Sequence, residues 1–530
     1  MIKKVQNYIQ SKIKLFFLDE NEKNFIKLNN DLFNQTYNHK ENQILIENNS
    51  MQTNHIAVSI FSKILSEIHD ARLVGYQPRI KFDLLNRLKI YIIDYKVKKI
   101  YKSFGVDKFL FYHKDNYLSL ANNLTNKLVS EIKSKSDLLN LVIDNIKVGD
   151  LIYDQYLTEY KVPTVNINSD KLRKILLDFS ILFYYWKDLF SKKKNIKGLV
   201  IGHACYFTGV SARIAIHFNI PVYQVNLQNI YYLSKDNLFP SSEFHTYSKD
   251  FEKLEINKKK KCISEARERI KLIFEGQTNI DQLYIKNSAY NKNKSSKKIL
   301  ANKKKIKILI ASHSFYDSPN GTGTNLFSDF WEWLEFLGKL SNITDYEWYI
   351  KTHPGIGIRD TKTIDDFVSR YKKIVLIPNL VSHNQLIEEG INIVLTVYGS
   401  IGIEYASKNI TVINASLNNP HISYDFNIHP KSREELNDIL RSLNNYINLN
   451  LSSDDVYKCY YMRYLYHNQN IFFSDFKSAL NQLGGYEELF TSKIYDKWIN
   501  YFSPIVKTKI EINLKKFILS GEYKIKSNWN

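Results

Sequence analysis

A chain of 530 residues is longer than one hydrophobic core usually supports, so two domains with extensions are expected. Hydrophobic residues at 44% and aromatic residues at 14% exclude a mainly disordered chain, and a formal net charge of +20 selects polyanions as partners. Three widely spaced cysteines, Cys205, Cys262 and Cys459, exclude a disulfide framework and a zinc knuckle and fit a reducing cytoplasm. The opening Met1-Ile2-Lys3-Lys4-Val5 lacks the apolar centre of a secretory signal. The longest apolar stretch, Ile175–Trp186, is interrupted by Asp178 and falls short of the ~20 residues that span a bilayer. With neither zinc-finger spacing nor an RNP-type aromatic motif, nucleic acid is set aside as a partner. Nucleotide donors, acidic glycans and the anionic face of a membrane remain.

In chain order, apolar runs predict strands at Gln43–Glu47, Arg72–Tyr76, Lys108–Tyr112, Leu199–Gly202 and Val222–Val225. Helical periodicity lies between them, as in Ile56–His69 and Asp170–Phe190. Residues 1–286 therefore predict a parallel sheet covered by helices, and the polar, basic stretch 287–304 predicts a linker. A second series follows over 305–452: strands at Ile306–Ala311, Trp348–Lys351, Ile374–Ile377, Ile393–Val397 and Thr411–Asn414, with helices at Leu326–Leu340 and Ser432–Leu443. The extension 453–530 begins with Val456–Tyr466, aromatic on most sides, which predicts a buried helix bridging the domains or, as a second reading, a membrane-surface segment. The fold class expected is α/β, with two doubly wound Rossmann-type domains facing a cleft and C-terminal helices.

Two stretches carry the chemistry. One strand runs into Lys351-Thr352-His353-Pro354 and another into Tyr398-Gly399-Ser400-Ile401-Gly402-Ile403-Glu404. Both lie just past the carboxyl ends of strands, where open α/β sheets bind ligands. Gly399 and Gly402 permit close backbone approach, and Ser400 opens a helix whose N–H groups suit a phosphate. Lys351 and His353 can donate to a phosphate leaving group, and Glu404 can accept from ribose hydroxyls. The first strand of the second series empties into a loop holding His313, Ser314 and Asp317, which can line the same crevice, with Asn419-Pro420-His421 as a further rim. The same residues also suit a tight turn and a capped helix.

Lys351-Thr352-His353-Pro354 followed by Gly399-Ser400-Ile401-Gly402-Ile403-Glu404 resembles the bacterial capsule and surface-polysaccharide glycosyltransferases of GT-B type, which include Kdo and sialic acid transferases. His313–Pro319, Leu326–Leu334, Gly149–Leu157 and Gly202–Tyr206 resemble the same group, so the likeness covers roughly residues 145–230 and 305–430. It implies a two-domain GT-B fold in which His353 with Pro354, and Ser400, hold the nucleotide's phosphate. The serine element departs from some sialic-acid-polymerising relatives, having Gly399 before a single serine where they have adjacent serines.

The resemblance further implies an acceptor bound by the first domain. His203, at the end of a predicted strand, then becomes a candidate general base, with Asp154, Asp150 and Asp317 as rivals. The absence of an Asp-x-Asp triplet argues against a bound metal, and no cofactor is expected beyond the nucleotide-sugar substrate. The function expected is transfer of a sugar from a nucleotide-sugar donor, with a CMP-linked acidic sugar such as Kdo or a sialic-acid-like sugar as one donor class. The acceptor is a growing capsular or surface glycan, lipid-linked or free, and the enzyme is cytoplasmic or peripheral at the inner face of the plasma membrane. Two alternatives stay open: a CDP-polyol phosphotransferase of teichoic-acid type, and a non-catalytic scaffold or glycan-binding subunit of a polysaccharide assembly complex.

Overall fold

The computed structural model describes residues 17–526 apart from 34–40, 78–94, 111–113, 279, 283–287, 291–296, 302–303, 324, 353–357, 448, 450–452 and 468–469. Alternating apolar runs form two open sheets. The first contains β1 (Asn42–Glu47), β2 (Ala71–Tyr76), β3 (Val106–Leu110), β6 (Ile196–Ile201), β7 (Val222–Val225) and β8 (Ile230–Leu233), in the order β3-β2-β1-β6-β7-β8. β4 (Val142–Ile143) and β5 (Ile146–Lys147) form a separate small hairpin. All pairings in the first sheet are parallel except β7 with β8.

The second sheet runs β11-β10-β9-β12-β13 and is wholly parallel, built from β9 (Lys307–Ala311), β10 (Glu347–Lys351), β11 (Ile374–Ile377), β12 (Ile393–Thr396) and β13 (Thr411–Asn414). The central strands β1, β9 and β12 are mostly buried, each carrying a run of three Ile, Leu or Val residues as strands covered by helices on both faces require. Each sheet reverses strand order once, between β1 and β6 and between β9 and β12. Such reversals open a crevice at the carboxyl ends of the strands. The fold is thus α/β and GT-B-like, with two doubly wound units.

Side-chain caps fix several helix starts. Ser169 accepts from Leu172 N at the head of the helix Asp170–Lys192, and Asp329 accepts from Glu332 N at the head of Phe330–Ile343. The second helix therefore starts four residues later than the apolar periodicity from Leu326 suggests, because its Asp329 cap outweighs the hydrophobic pattern. Among the features that escaped the sequence reading are the antiparallel β8, the β4–β5 hairpin, β3 beginning at Val106 rather than Lys108 and β6 at Ile196 rather than Leu199.

The C-terminal extension divides its packing. The helix Ser453–Tyr461 continues into a π-helical turn, Met462–Tyr466, and shares a core with Phe244–Ile270 of the first unit and Ile403–Phe426 of the second. Residues from Ile471 to Ile525 join the core on one face of the first sheet. The chain then lies along the exposed edge of β8, where Tyr232 N donates to Tyr523 O at 2.8 Å and Ile525 N to Ile230 O at 3.0 Å. Of the basic stretch 287–304, Ile299 N and Leu300 N donate to Glu389, and His383 N donates to Ala289 O, so its described parts are tied to the second unit.

Candidate functional site

The carboxyl edges of the two sheets face each other. β6 ends at Ile201 and leads through Gly202 and His203 to Tyr206, whose hydroxyl donates to Asp317 Oδ1 at 3.0 Å in the loop after β9. Tyr206 holds φ 56°, a left-handed conformation that disfavours aromatic residues, and the loop keeps this strain at the mouth of the cleft. More bonds join the same walls: Thr158 Oγ1 donates to Tyr316 O at 2.7 Å, and Tyr153 Oη and Thr164 Oγ1 donate to Asp329 Oδ2 at 2.5 and 2.6 Å. A cavity of ≈ 460 Å³ opens here, lined by Thr158, Lys161, Tyr206, Ser314, Tyr316, Asp317, Arg359 and Asp360. Lys161 and Arg359 set two cations on its wall opposite the carboxylates of Asp317 and Asp360.

The four candidate bases occupy different depths. Asp317 is exposed on the cleft and also accepts from Ser318 N at 2.9 Å. His203 is exposed, its ring parallel to that of Tyr206 at 5.9 Å, with Nδ1 2.8 Å from Cys205 Sγ. Asp154 is buried beneath them and accepts from Asn320 N at 3.2 Å and Asn320 Nδ2 at 2.9 Å. Burial drives its carboxyl well above the ordinary range, the Asn320 bonds oppose this, and the charges of Asp150 and Asp317 add to the rise. Asp154 thus holds the loop that carries Asp317. Asp150 forms a buried ion pair with Arg213 at 2.7 Å, which engages it away from the cleft.

On the second sheet, His313 sits at the β9/β12 reversal. Its Nε2 accepts from Val397 N at 3.1 Å and lies 3.1 Å from Thr396 Oγ1, which in turn accepts from Gly399 N at 3.2 Å. The ring stacks on Phe330 at 4.5 Å. His313 therefore ties β9 to the turn after β12, and Ser314 stands next to it on the cavity wall.

Ser400 precedes the six-residue helix Ile401–Ala406 in αR conformation and makes no side-chain capping bond. The helix start is therefore not serine-capped, and the Ser400 hydroxyl favours the ionised form of Glu404. Glu404 accepts from Tyr290 Oη at 2.5 Å; burial raises its carboxyl, while the Tyr290 bond, the Ser400 hydroxyl and the Arg463 charge oppose the rise. Gly402 is required by close packing, because a Cβ there would come within 2.5 Å of the His421 ring. His421 Nε2 lies 3.5 Å from Arg463 Nη1, so the π-helical turn brings a guanidinium beside Glu404 and His421.

Lys351 lies elsewhere. It ends β10, on the far side of β9 from β12, and its buried ammonium donates to Asn379 O at 3.1 Å and Pro378 O at 3.4 Å. Desolvation lowers its pKa to about 8. His353 and Pro354 lie outside the described residues, and with them the expected convergence of the His353 ring on the Ser400 hydroxyl.

The structure thus brings together His203, Asp317 and Ser314 on the cleft, with Asp154 and His313 behind it. The sequence reading missed Tyr206, Lys161, Arg359 and Arg463. A backbone φ leaves no trace in residue order, and Arg463 is hidden in a segment that reads as aromatic packing. Among the described residues, no group of three or more His, Cys, Asp or Glu is arranged to hold a metal ion.

No family model matches this sequence, and no curated protein matches it. Solved structures do align with it. A glycosyltransferase from Rickettsia africae shares 12% identity over 91% of this chain and 100% of its own, with a TM-score of 0.23. UDP-GlcNAc 2-epimerase from Neisseria meningitidis, bound to UDP-GlcNAc, shares 12% over 90% of this chain and 98% of its own, with a TM-score of 0.19. Sucrose-phosphate synthase from Thermosynechococcus elongatus shares 9% over 90% and 100%, with a TM-score of 0.25. Scores this low carry no argument about chemistry, and the functional reading rests on the cleft residues themselves.

Proposed function

We propose that this chain is a glycosyltransferase that moves a sugar from a nucleotide-sugar donor to a hydroxyl of a surface glycan, with the chemistry in the cleft between the two sheets. The observation that carries the reading is the 3.0 Å bond from Tyr206 to Asp317, which joins the carboxyl edges of both doubly wound units around one cavity. In the reading offered here, Asp317 takes the proton of the acceptor hydroxyl as that oxygen bonds the anomeric carbon. The bond from that carbon to phosphate breaks in the same step, and the nucleotide leaves with the electron pair. Tyr206 orients the Asp317 carboxylate, and His203 offers a second proton acceptor at the same rim. Lys161 and Arg359 meet negative charge on the ligand, the role for which no metal is invoked. Ser314, Gly399 and Ser400 place the donor at the second sheet's reversal. A CMP-linked acidic sugar is the donor class put forward, with a capsular or other surface glycan as acceptor.

The test is a thermal-shift panel of CMP-, CDP-, UDP- and GDP-linked donors, followed by product analysis. A true donor at 100 times its dissociation constant stabilises by roughly 2.7 kcal/mol. Phosphate retained in the product would replace sugar transfer by polyol-phosphate transfer. No stabilisation by any nucleotide, with cellular glycan unchanged in Asp317→Asn, would leave a scaffold role.

A further inference from the structure

The helix Pro504–Ser520 buries one face, Ile510, Asn513, Leu514, Phe517 and Ile518, in the core of the first sheet. Its other face is also apolar along a single line. Ile505, Ile512 and Leu519 are 73%, 61% and 73% exposed, each seven residues from the next. A seven-residue step rotates an α-helix by only about 20°, so the three side chains form one straight ridge roughly 21 Å long. Exposed Lys509 and Lys516 flank it on one side, and Thr508 and exposed Lys515 on the other. Over its whole length the helix has four lysines and a single acid, Glu511, which lies 3.7 Å from Lys507 at the border of the exposed face. Lys515 makes only a long 3.9 Å contact with Glu67.

We propose that this face docks on an anionic lipid surface. An isolated apolar ridge bordered by lysines suits a headgroup layer, where Ile and Leu enter the acyl boundary while the flexible lysine stems keep their ammonium groups among the phosphates. A second copy of this chain fits poorly. A helix–helix seam needs a second apolar row three or four residues on, and here those positions hold Thr508, Lys509, Lys515 and Lys516, so two copies would set lysine against lysine. The proposal goes beyond the sugar-transfer reading and does not depend on it.

Co-sedimentation of the full chain with vesicles of phosphatidylglycerol and phosphatidylcholine, against phosphatidylcholine alone, tests it with no nucleotide present. Preferential binding to the anionic vesicles, weakening with salt, is expected. Ile505→Ser/Ile512→Ser/Leu519→Ser should weaken it at least ten-fold. Each lysine near an anionic surface contributes about a five-fold factor, so Lys509→Glu/Lys516→Glu should weaken it twenty-fold or more. All five side chains are exposed, so melting temperatures should stay unchanged. Equal binding to both vesicle types, or undiminished binding by both variants, overturns the proposal. A dimer in vesicle-free solution that the serine variant splits would overturn it in favour of a second copy.

Discussion

The two sheets end in the same way but are filled differently. At the reversal of the first sheet, Glu47 and Asn48 are buried, Glu47 Oε2 accepts from Gly202 N at 3.2 Å, and His55 spans the edge, with Nε2 2.7 Å from Asn49 O and Nδ1 2.5 Å from Tyr495 Oη. Tyr495 comes from a C-terminal helix and stacks on Phe25 at 4.3 Å, so the chain's own aromatic rings occupy this end. At the reversal of the second sheet, His313, Ser314, Tyr398, Gly399 and Ser400 are all half-exposed beside the cleft. Equivalent topological positions can thus be spent on cohesion or on binding, and side-chain size with a docked extension decides which. If this division is right, changes on the cleft, including His203 and Tyr206 after β6, act on catalysis, and changes in the aromatic plug behind β1 act on stability.

The largest effect is expected at Asp317. Replacing this general base in Asp317→Asn should lower kcat by roughly 10²–10⁴ while leaving the melting temperature nearly unchanged, because the side chain is exposed. If kcat were preserved and Asp154→Asn abolished turnover in a protein that still folded, the buried carboxylate would take over the role. At the first edge the opposite split is predicted. Tyr495→Ala removes a fully buried ring and should cost about 3–5 kcal/mol in denaturant unfolding, with kcat per folded molecule retained. A loss of kcat matching that of Asp317→Asn, in protein shown to be folded, would make the plug around His55 and Tyr495 part of the reaction centre.

Much of this comparison was legible in the residue order. The long apolar strands announce themselves because buried parallel strands leave few polar positions, which is why Val222–Val225, Ile374–Ile377 and Thr411–Asn414 agree to the residue. Gly399 and Ser400 were readable as a turn after a strand. The plug at the first edge was not, since His55 and Tyr495 lie 440 residues apart and nothing local couples them. Nor was the burial of Asp154, whose partner Asn320 comes from the other domain. The Ser400 side chain leaves the helix start uncapped, a choice that spacing alone leaves open.

Acid should weaken both units next. Desolvation lowers His55 to about 4 in the first unit, where His69 and His245 are lowered as well, and His467 to about 4 where it stacks on Tyr247; in the second unit His383 falls to about 3 and His429 to about 4, with His421 also well below its usual value. Each depressed imidazole supports the fold fully above pH 6.5, where folded and unfolded chains alike are neutral. As pH falls from 6.5 towards these lower values the unfolded chain gains protons that the folded one refuses. The loss approaches 1.4 kcal/mol per histidine per pH unit. Such groups lie in both units, so amide-exchange protection should fall in both as the pH drops below 6.5. Protection retained in either unit down to pH 4 would show that its buried imidazoles do not govern its acid stability.

The smallest effect is expected at Lys351, and its sign is informative. Its folded pKa of about 8 lies below the usual 10.5, so between these values the unfolded chain holds a proton that the folded chain has released, and stability should climb with pH across that window. Below pH 8 the folded protein carries a buried ammonium bonded only to backbone carbonyls among its described partners. Lys351→Met removes that charge but leaves the Pro378 and Asn379 carbonyls without their donor. A net gain of about 1 kcal/mol at pH 7, shrinking towards pH 10, is therefore expected. Thermal shift by the nucleotide-sugar should be the same in variant and parent, because Lys351 points to the loop after β11 while the cleft lies across β9. If donor stabilisation vanished in Lys351→Met while the fold gained, the ammonium would belong to the phosphate site, and the second edge would bind its ligand across both reversal strands and β10.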